Sequence, residues 1–516
     1  MDFTTYRDKV LGCWNGKNIG GTLGAPFECS RGVFDADFYT QELNGKALPN
    51  DDLDMQILWL AAAEAYGRQV NSRIFGEYWL AYVIPNWSEY GVAKNNLKVG
   101  IAPPLSGLVG NTHKDSNGSW IFSELWACLA PGNPEIAVKY AKEEASVAHA
   151  GEGIYSAVFC AAVQSAAFGE SDPYKLIDIG LSYIPSDCDV ARAIGSVLAA
   201  YRSGKTWQEA RRMLIRDYGG TFGLIKTAAA DLPEEERTKR LGYDAPSGIG
   251  MVIIGWLYGE GDFGQSICIA ANCGDDSDCT AGTLGALLGI IRGNSGLEEK
   301  WLKPLGGYIE TLCIDTTTYE FAIPKTTEEM TDRVVRLAPV FLGPDKCDVT
   351  SDGKGYTIRM ANSFMCSGLR RTPFGEYEKL AKEYNSYSHC EHNFLFDTEV
   401  VYGSQPYVQE GQPFEFTVRL SNNQMNHAQW LELRWHLPEG WLISSAVQTT
   451  ISLGSAQFDG KRELKFVVTP INLMQARYDL ILQVRSNGHY TQELIPISLF
   501  TGTEWPVADD KLMKEG

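Results

Sequence analysis

The hydrophobic residues of this chain change period part-way along it, which rules out any fold of a single class. Up to about residue 335 the apolar positions recur at helical spacing. Leu53, Ile57, Leu60 and Ala61 share one face of the segment 52–66, and segments 134–143 and 207–217 repeat the pattern. From 396 to about 503 the period is two. Phe414, Phe416, Val418 and Leu420 alternate with Glu415, Thr417 and Arg419. Leu431, Leu433, Trp435 and Leu437 alternate likewise, then Tyr478, Leu480, Leu482 and Val484. Strands put successive side chains on opposite faces, whereas helices bring every third or fourth together, so one element cannot serve both patterns. The expectation is a multidomain protein: a helical domain over 1–335, a connecting segment over 336–395, and a smaller all-β immunoglobulin-like sandwich over 396–505. The connecting segment carries a turn-rich patch at Ser351–Gly355, a strand after it, and a polar helix near 376–384.

Within the helical part, small residues line up. Gly12, Gly16, Gly20 and Gly24 recur every four positions, and Gly282, Gly285, Ala286 and Gly289 form a second stripe. Ala157, Cys160, Ala161 and Ala167 mark a third small-rich run. A helical glycine costs about 1 kcal/mol relative to alanine, so its repetition needs a compensating gain. Close approach of helix backbones supplies one. A lipid-embedded packing motif is disfavoured because Asn15, Lys17 and Asn18 interrupt the first stripe.

Charge and cysteine usage narrow the setting. The 516 residues carry a formal net charge of −19, which repels phosphate backbones and anionic membranes, so neither nucleic acid nor a membrane is an expected partner. No apolar run reaches the roughly 18 residues that span a bilayer, and the charged N-terminus does not read as a signal peptide. Twelve cysteines are scattered from Cys13 to Cys390 without a CxxC pair. Free thiols in a reducing, cytoplasmic compartment are expected.

Two acidic clusters carry the chemical interest. Asn50-Asp51-Asp52-Leu53-Asp54 opens one helix, and Asp275-Asp276-Ser277-Asp278 opens another. The plainer explanation is local: Asn50 caps a helix, Asp276 or Asp278 caps the other, and first-turn carboxylates suit the helix dipole. Yet three carboxylates within four residues repel unless something neutralises them. If the two clusters meet, hard divalent cations such as Mg²⁺ or Ca²⁺ match their oxygen donors.

These segments resemble the ADP-ribosylglycohydrolase family, which includes the dinitrogenase-reductase-activating glycohydrolases. Val10-Leu11-Gly12 through Gly24-Ala25-Pro26-Phe27-Glu28 resembles the family's glycine-rich opening helix. Asn50-Asp51-Asp52 stands where the family has Ser/Thr-Asp-Asp, and Asp276-Ser277-Asp278-Cys279-Thr280 resembles its closing Gly-Asp-x-Asp-Thr helix. The run 146–168, with His149, resembles its central Thr-His helix. The resemblance spans roughly residues 6–293. It implies an all-α orthogonal bundle with two Mg²⁺ ions in a cleft, held by Asp51, Asp52, Asp276 and Asp278. It departs from the family at Asn50, at Gly21 (a position often acidic) and at Cys279, where a thiol is a poor Mg²⁺ ligand. Asn50 through its amide oxygen, and Thr280 one residue on from Cys279 or a water, would supply the replacement ligands.

The resemblance further implies that Glu28 acts on the attacking water, with Asp276 as the second catalytic carboxylate. Glu28 also reads as a surface carboxylate, and His149 as a core histidine. His149, Glu124 and Trp120 are the candidates for contacting substrate. Trp120 and Trp126 read more simply as core aromatics, Asp54 and Asp275 as supporting or capping groups, and Gly118 as a turn. No P-loop or GxSxG motif is present. The function expected is Mg²⁺-dependent hydrolysis of a glycosidic bond at the anomeric carbon of ADP-ribose, free or protein-attached, or of a related furanosyl sugar. Two alternatives stand beside it: a carbohydrate-active hydrolase on the same scaffold, and a non-catalytic ADP-ribose-binding protein with a degenerate metal site. The β domain is expected to carry none of the chemistry, since His427, His436 and His489 are scattered and Asp459 sits in a turn.

Overall fold

The computed structural model describes residues 1–218, 227–228, 243–315, 317, 321–350, 355–366 and 388–503. It divides into two compact units. The first comprises Met1–Leu97 and Ser106–Glu376; the second comprises Lys98–Leu105 and Tyr377–Gly516. The polar helix expected near 376–384, and most of the turn patch at 351–354, lie outside the described residues.

The first unit is helical. In chain order its described helices are α1 (Phe3–Gly24), α2 (Asp51–Tyr66), α3 (Ser72–Tyr82), α4 (Ser88–Lys98), α5 (Glu124–Leu129), α6 (Pro134–Ala145), α7 (Glu152–Ala166), α8 (Pro173–Ser182), α9 (Asp189–Arg202), α10 (Trp207–Tyr218), α11 (Ala245–Tyr258), α12 (Phe263–Asn272), α13 (Ser277–Arg292), α14 (Glu299–Leu302) and α15 (Thr327–Leu342). Short strands accompany them: β1 (Ser30–Arg31) parallel to β2 (Thr227–Ala228), and β3 (Cys347–Val349) antiparallel to β4 (Tyr356–Ile358). The all-α class expected for this part is what the structure contains. Its helices run past residue 335, because α15 continues to Leu342 before Gly343 adopts a positive φ and ends it.

The two glycine stripes explain each other. Helices α1 and α13 run antiparallel, Gly12 against Gly289, Gly16 against Gly285, Gly20 against Ala281 and Gly24 against Ser277. A Cβ added at Gly16 would fall on the Gly285 carbonyl, well inside contact distance. Only glycine allows that approach, and the packing it permits offsets the helix-propensity cost. Because the pair is locked in register, the C-terminus of α1 and the N-terminus of α13 finish side by side. That end of the pair holds the second acidic cluster.

The second unit is a β-sandwich. One sheet has the order β10 (Leu442–Ile443), β12 (Lys461–Thr469), β8 (Phe414–Asn422), β6 (Phe396–Tyr402), β5 (Ser388–His392). The other has β11 (Gln448–Leu453), β9 (Gln429–His436), β13 (Arg477–Ser486), β14 (Gln492–Thr501), β7 (Tyr407–Val408). All pairings are antiparallel except β7 with β14. The alternating residues Phe416, Val418 and Leu420 meet Leu431, Leu433, Leu480, Leu482, Ile495 and Ile497 in one core, all fully buried. The first strand, β5, starts eight residues before the boundary expected at 396, since Ser388 already pairs with Val401.

Candidate active site

Helix α2 starts where Asn50 accepts a hydrogen bond from Asp52 N at 2.7 Å, the capping expected of it. Its amide Nδ2 reaches across to Asp278 Oδ2 at 3.2 Å. A Cβ at Gly21 would lie 2.9 Å from that amide, so the glycine in α1 makes room for Asn50. The two acidic clusters therefore meet, 228 residues apart in sequence.

The second cluster does not cap its own helix. Asp276 occupies the N-cap position of α13 but makes no side-chain capping bond. Its Oδ2 instead accepts from Asn117 Nδ2 at 2.7 Å. Asp278 lies in the first turn of α13, buried, with Oδ1 unpartnered. Glu28, Asp276 and Asp278 each bring an oxygen within 4.8 Å of the others, and Asp52, Asp278 and Cys279 form a second such group. Glu28 is the exposed member of the first. It follows the short turn Ala25–Phe27 at the end of α1, so the glycine-locked pairing with α13 delivers it there.

Burial and mutual repulsion dominate the electrostatics. The Asp51 carboxyl is pushed up to about 8, first by burial and then by Asp52 and Asp276. Tyr90 donates to it at 3.1 Å, which opposes the rise. Burial also drives Asp276 and Asp278 well above the carboxylate range, each reinforced by neighbouring acids. The Cys279 thiol is raised for the same reasons, stays protonated, and donates to Asp52 Oδ1 at 3.3 Å. The set of carboxylates with a buried, unbonded Asp278 oxygen fits a hard divalent cation, which would replace those protons.

The flanking acids do other work. Asp54 Oδ2 accepts from Leu312 N and Cys313 N, both at 2.6 Å, and so clamps that loop. Asp275, at φ 59°, pairs with buried Arg31 at 3.1 Å. Its backbone exchanges hydrogen bonds with Cys29 and Ser30, both 2.8 Å, which ties the Glu28 loop to the head of α13. Thr280 sends its hydroxyl to Ser277 O and Ala270 O, so Cys279 and not Thr280 faces Asp52.

The three residues expected to contact substrate lie deeper. Trp120 is completely buried and donates its indole N–H to Asn117 Oδ1 at 3.1 Å, holding the amide that holds Asp276. Glu124 is buried beside Lys17, accepting from Gln56 at 3.0 Å and Gln164 at 3.2 Å. His149 is buried and pushed down to about 3 by desolvation, so its imidazole is neutral. Its Nε2 bonds the Ser116 hydroxyl at 3.0 Å and stands 3.8 Å from Glu89, itself raised to about 7 by burial. That separation suits an ion pair, but with the imidazole uncharged the contact is a polar one. Gly118 is more than a turn: a Cβ there would strike Glu89 and His149.

Lys17, Asn117, Tyr90 and Tyr243 escaped the sequence reading. Tyr243 OH makes a short contact with Cys29 Sγ beside Glu28. Lys17 alone left a trace, as a charged residue interrupting a glycine stripe.

A chain described as an ADP-ribosylglycohydrolase-related protein complex is 18% identical with TM-score 0.42; the match covers 66% of this chain and 99% of that one. A yeast GGA1_GAE domain-P21 crystal structure is 17% identical with TM-score 0.17, covering 22% of this chain and 98% of that one. No curated protein matches. The family model for ADP-ribosylglycohydrolase matches residues 2–338, which include every residue of the acidic site, and the chain belongs to the ADP-ribosylglycohydrolase family.

Proposed function

We propose that the protein is a Mg²⁺-dependent hydrolase of the glycosidic bond at the anomeric carbon of an ADP-ribosyl group, on a small molecule or a protein. The observation that carries the reading is the meeting of Glu28, Asp276 and Asp278 within 4.8 Å. Membership of a glycohydrolase family supports it. Asp51, Asp52, Asp276 and Asp278 are the candidate ligands, with Asn50 beside them. When bound, Mg²⁺ supplies a fixed positive centre for sugar hydroxyls and water. The remaining steps belong to this chain. Glu28, exposed at the rim, takes the proton of the attacking water. Positive charge builds on the ring in an oxocarbenium-like transition state, and the surrounding carboxylates favour it. Asn117 keeps Asp276 aimed inward.

Among the described residues no helix is long and apolar enough to cross a membrane. All twelve cysteines are unbridged, which suits a reducing compartment such as the cytoplasm. The decisive experiment measures ADP-ribose released from an ADP-ribosylated protein, with Mg²⁺ and with chelator. Release that stops on chelation is expected. Turnover of furanosyl oligosaccharides alone would transfer the reading to carbohydrate. Binding of ADP-ribose with no turnover of any substrate would make the site a non-catalytic reader.

A further inference from the structure

Lys17 is a buried lysine on α1, 2% exposed, and its ammonium lies against the acidic site. Its Nζ stands 2.8 Å from Asp52 Oδ2 and 3.4 Å from Glu124 Oε1. It also donates to Ile121 O at 3.0 Å and Thr283 Oγ1 at 3.2 Å. These contacts hold it from four directions. Glu124 is itself fixed by Gln56 and Gln164, so the ammonium has no path outward without stranding a buried carboxylate.

The consequence falls on Asp52. One of its oxygens faces the Lys17 ammonium and the other accepts the Cys279 thiol. Both are already occupied from within the protein. Of the two triads that converge here, Asp52–Asp278–Cys279 contains a thiol and adjoins a fixed positive charge. A hard cation placed there would meet a soft donor and share a carboxylate with an ammonium. The triad Glu28–Asp276–Asp278 offers oxygen donors alone. Its Asp278 retains the buried oxygen without a partner.

We propose that Lys17 is a built-in second cation, so that the site takes a single divalent ion, held on the Asp276–Asp278 side with Glu28 beside it as the base. This rests on the metal-dependent reading above. It gives the departure at Cys279 and the burial of Lys17 one explanation: once an ammonium neutralises Asp52, an oxygen ligand at 279 is no longer required.

The test counts ions on the full-length chain, with no substrate present. MnCl₂ is titrated and followed by electron paramagnetic resonance, and MgCl₂ by calorimetry. One ion per chain with an isolated-ion Mn²⁺ spectrum is expected. The variant K17M/C279T replaces the ammonium with an apolar side chain of similar length and restores an oxygen at 279. It should bind two ions, with the spectrum broadened by coupling between them. Should that variant not fold, K17M/C279T/E124Q removes the carboxylate left unpaired and is read the same way; should neither fold, the wild-type count decides. Two ions on the wild type would overturn the role of Lys17 and leave metal dependence standing. A folded variant that still takes one ion would overturn it as well. A wild type that binds no ion even at millimolar Mg²⁺ would overturn this inference and the metal-dependent function together.

Discussion

Asn117 Nδ2 donates to Asp276 Oδ2 at 2.7 Å, across 159 residues of chain. Trp120 donates to the amide oxygen and so fixes which way it faces, and Gly248, where a Cβ would fall on that oxygen, leaves room for it. Asp276 is thereby held toward the other acids and released from capping α13. Groups that orient a metal ligand typically contribute 10- to 100-fold in affinity. N117A is expected to weaken Mg²⁺ binding by about that factor while the helical unit stays folded. Calorimetric titration measures it, and unchanged affinity would show that Asp276 is aimed by something else.

Glu28 reaches the ligand cluster while remaining exposed, so its role in proton transfer separates from coordination by experiment. E28Q keeps its shape and loses the base. Turnover is expected to fall about 100- to 10,000-fold, with Mg²⁺ affinity within about threefold of wild type. A parallel loss of affinity would make Glu28 a ligand in place of a base.

Metal binding should depend on pH through Asp51. Its folded-state value near 8 means that the carboxyl is largely protonated at neutral pH and must lose its proton to a cation. Mg²⁺ affinity is therefore expected to rise from about pH 6 to pH 8 and level off above. Each proton displaced contributes about tenfold per pH unit below that value. Calorimetry in buffers of different ionisation enthalpy reads the protons directly; equal apparent enthalpies in all buffers would contradict the shift.

The α1–α13 seam predicts opposite outcomes for the same substitution at two helical glycines. G16A puts a methyl group onto the Gly285 carbonyl, and overpacking of this kind costs about 1–3 kcal/mol or more. Gly195 in α9 has nothing within 4 Å of an added Cβ. G195A is expected to stabilise by about 0.5–1 kcal/mol through helix propensity. Thermal unfolding of the two variants compares them. A tolerated G16A would mean that the stripe is not needed for close approach.

Glu89 beside His149 makes stability fall as pH rises. Its folded value of about 7 lies above its ordinary 4.5. The stability it contributes is complete below 4.5 and is lost as pH climbs through 7. His149, pushed down to about 3, contributes in the opposite sense, losing stability as pH falls below its ordinary 6.5. Comparing E89Q with wild type cancels the histidine. The variant should gain on wild type by about 1–3 kcal/mol between pH 5 and pH 8, measured by denaturant unfolding at each pH. A constant difference would exclude a raised Glu89.

What the sequence determined by itself is local. The change of period from helical to two separates the helical unit from the sandwich, since side-chain direction follows directly from backbone geometry. Asn50 as a cap, the glycine stripe and the two acidic clusters are likewise readable, because each depends on neighbours within a few positions. Whether Asp276 capped its helix or turned inward was not readable, and the fold decided it by supplying Asn117 from a distant loop. The partner of the first glycine stripe also lay some 270 residues away. Burial decided the rest. The sequence left His149, Glu124 and Trp120 open to either core or cleft, and the packing of several helices drew them inside, where desolvation keeps His149 neutral and sets Glu124 against Lys17. A lysine in a glycine-rich helix has no local reason to be there. Its charge is satisfied only once tertiary structure brings Asp52 and Glu124 to it, because the cost of burying an ion is repaid only by partners from elsewhere in the chain.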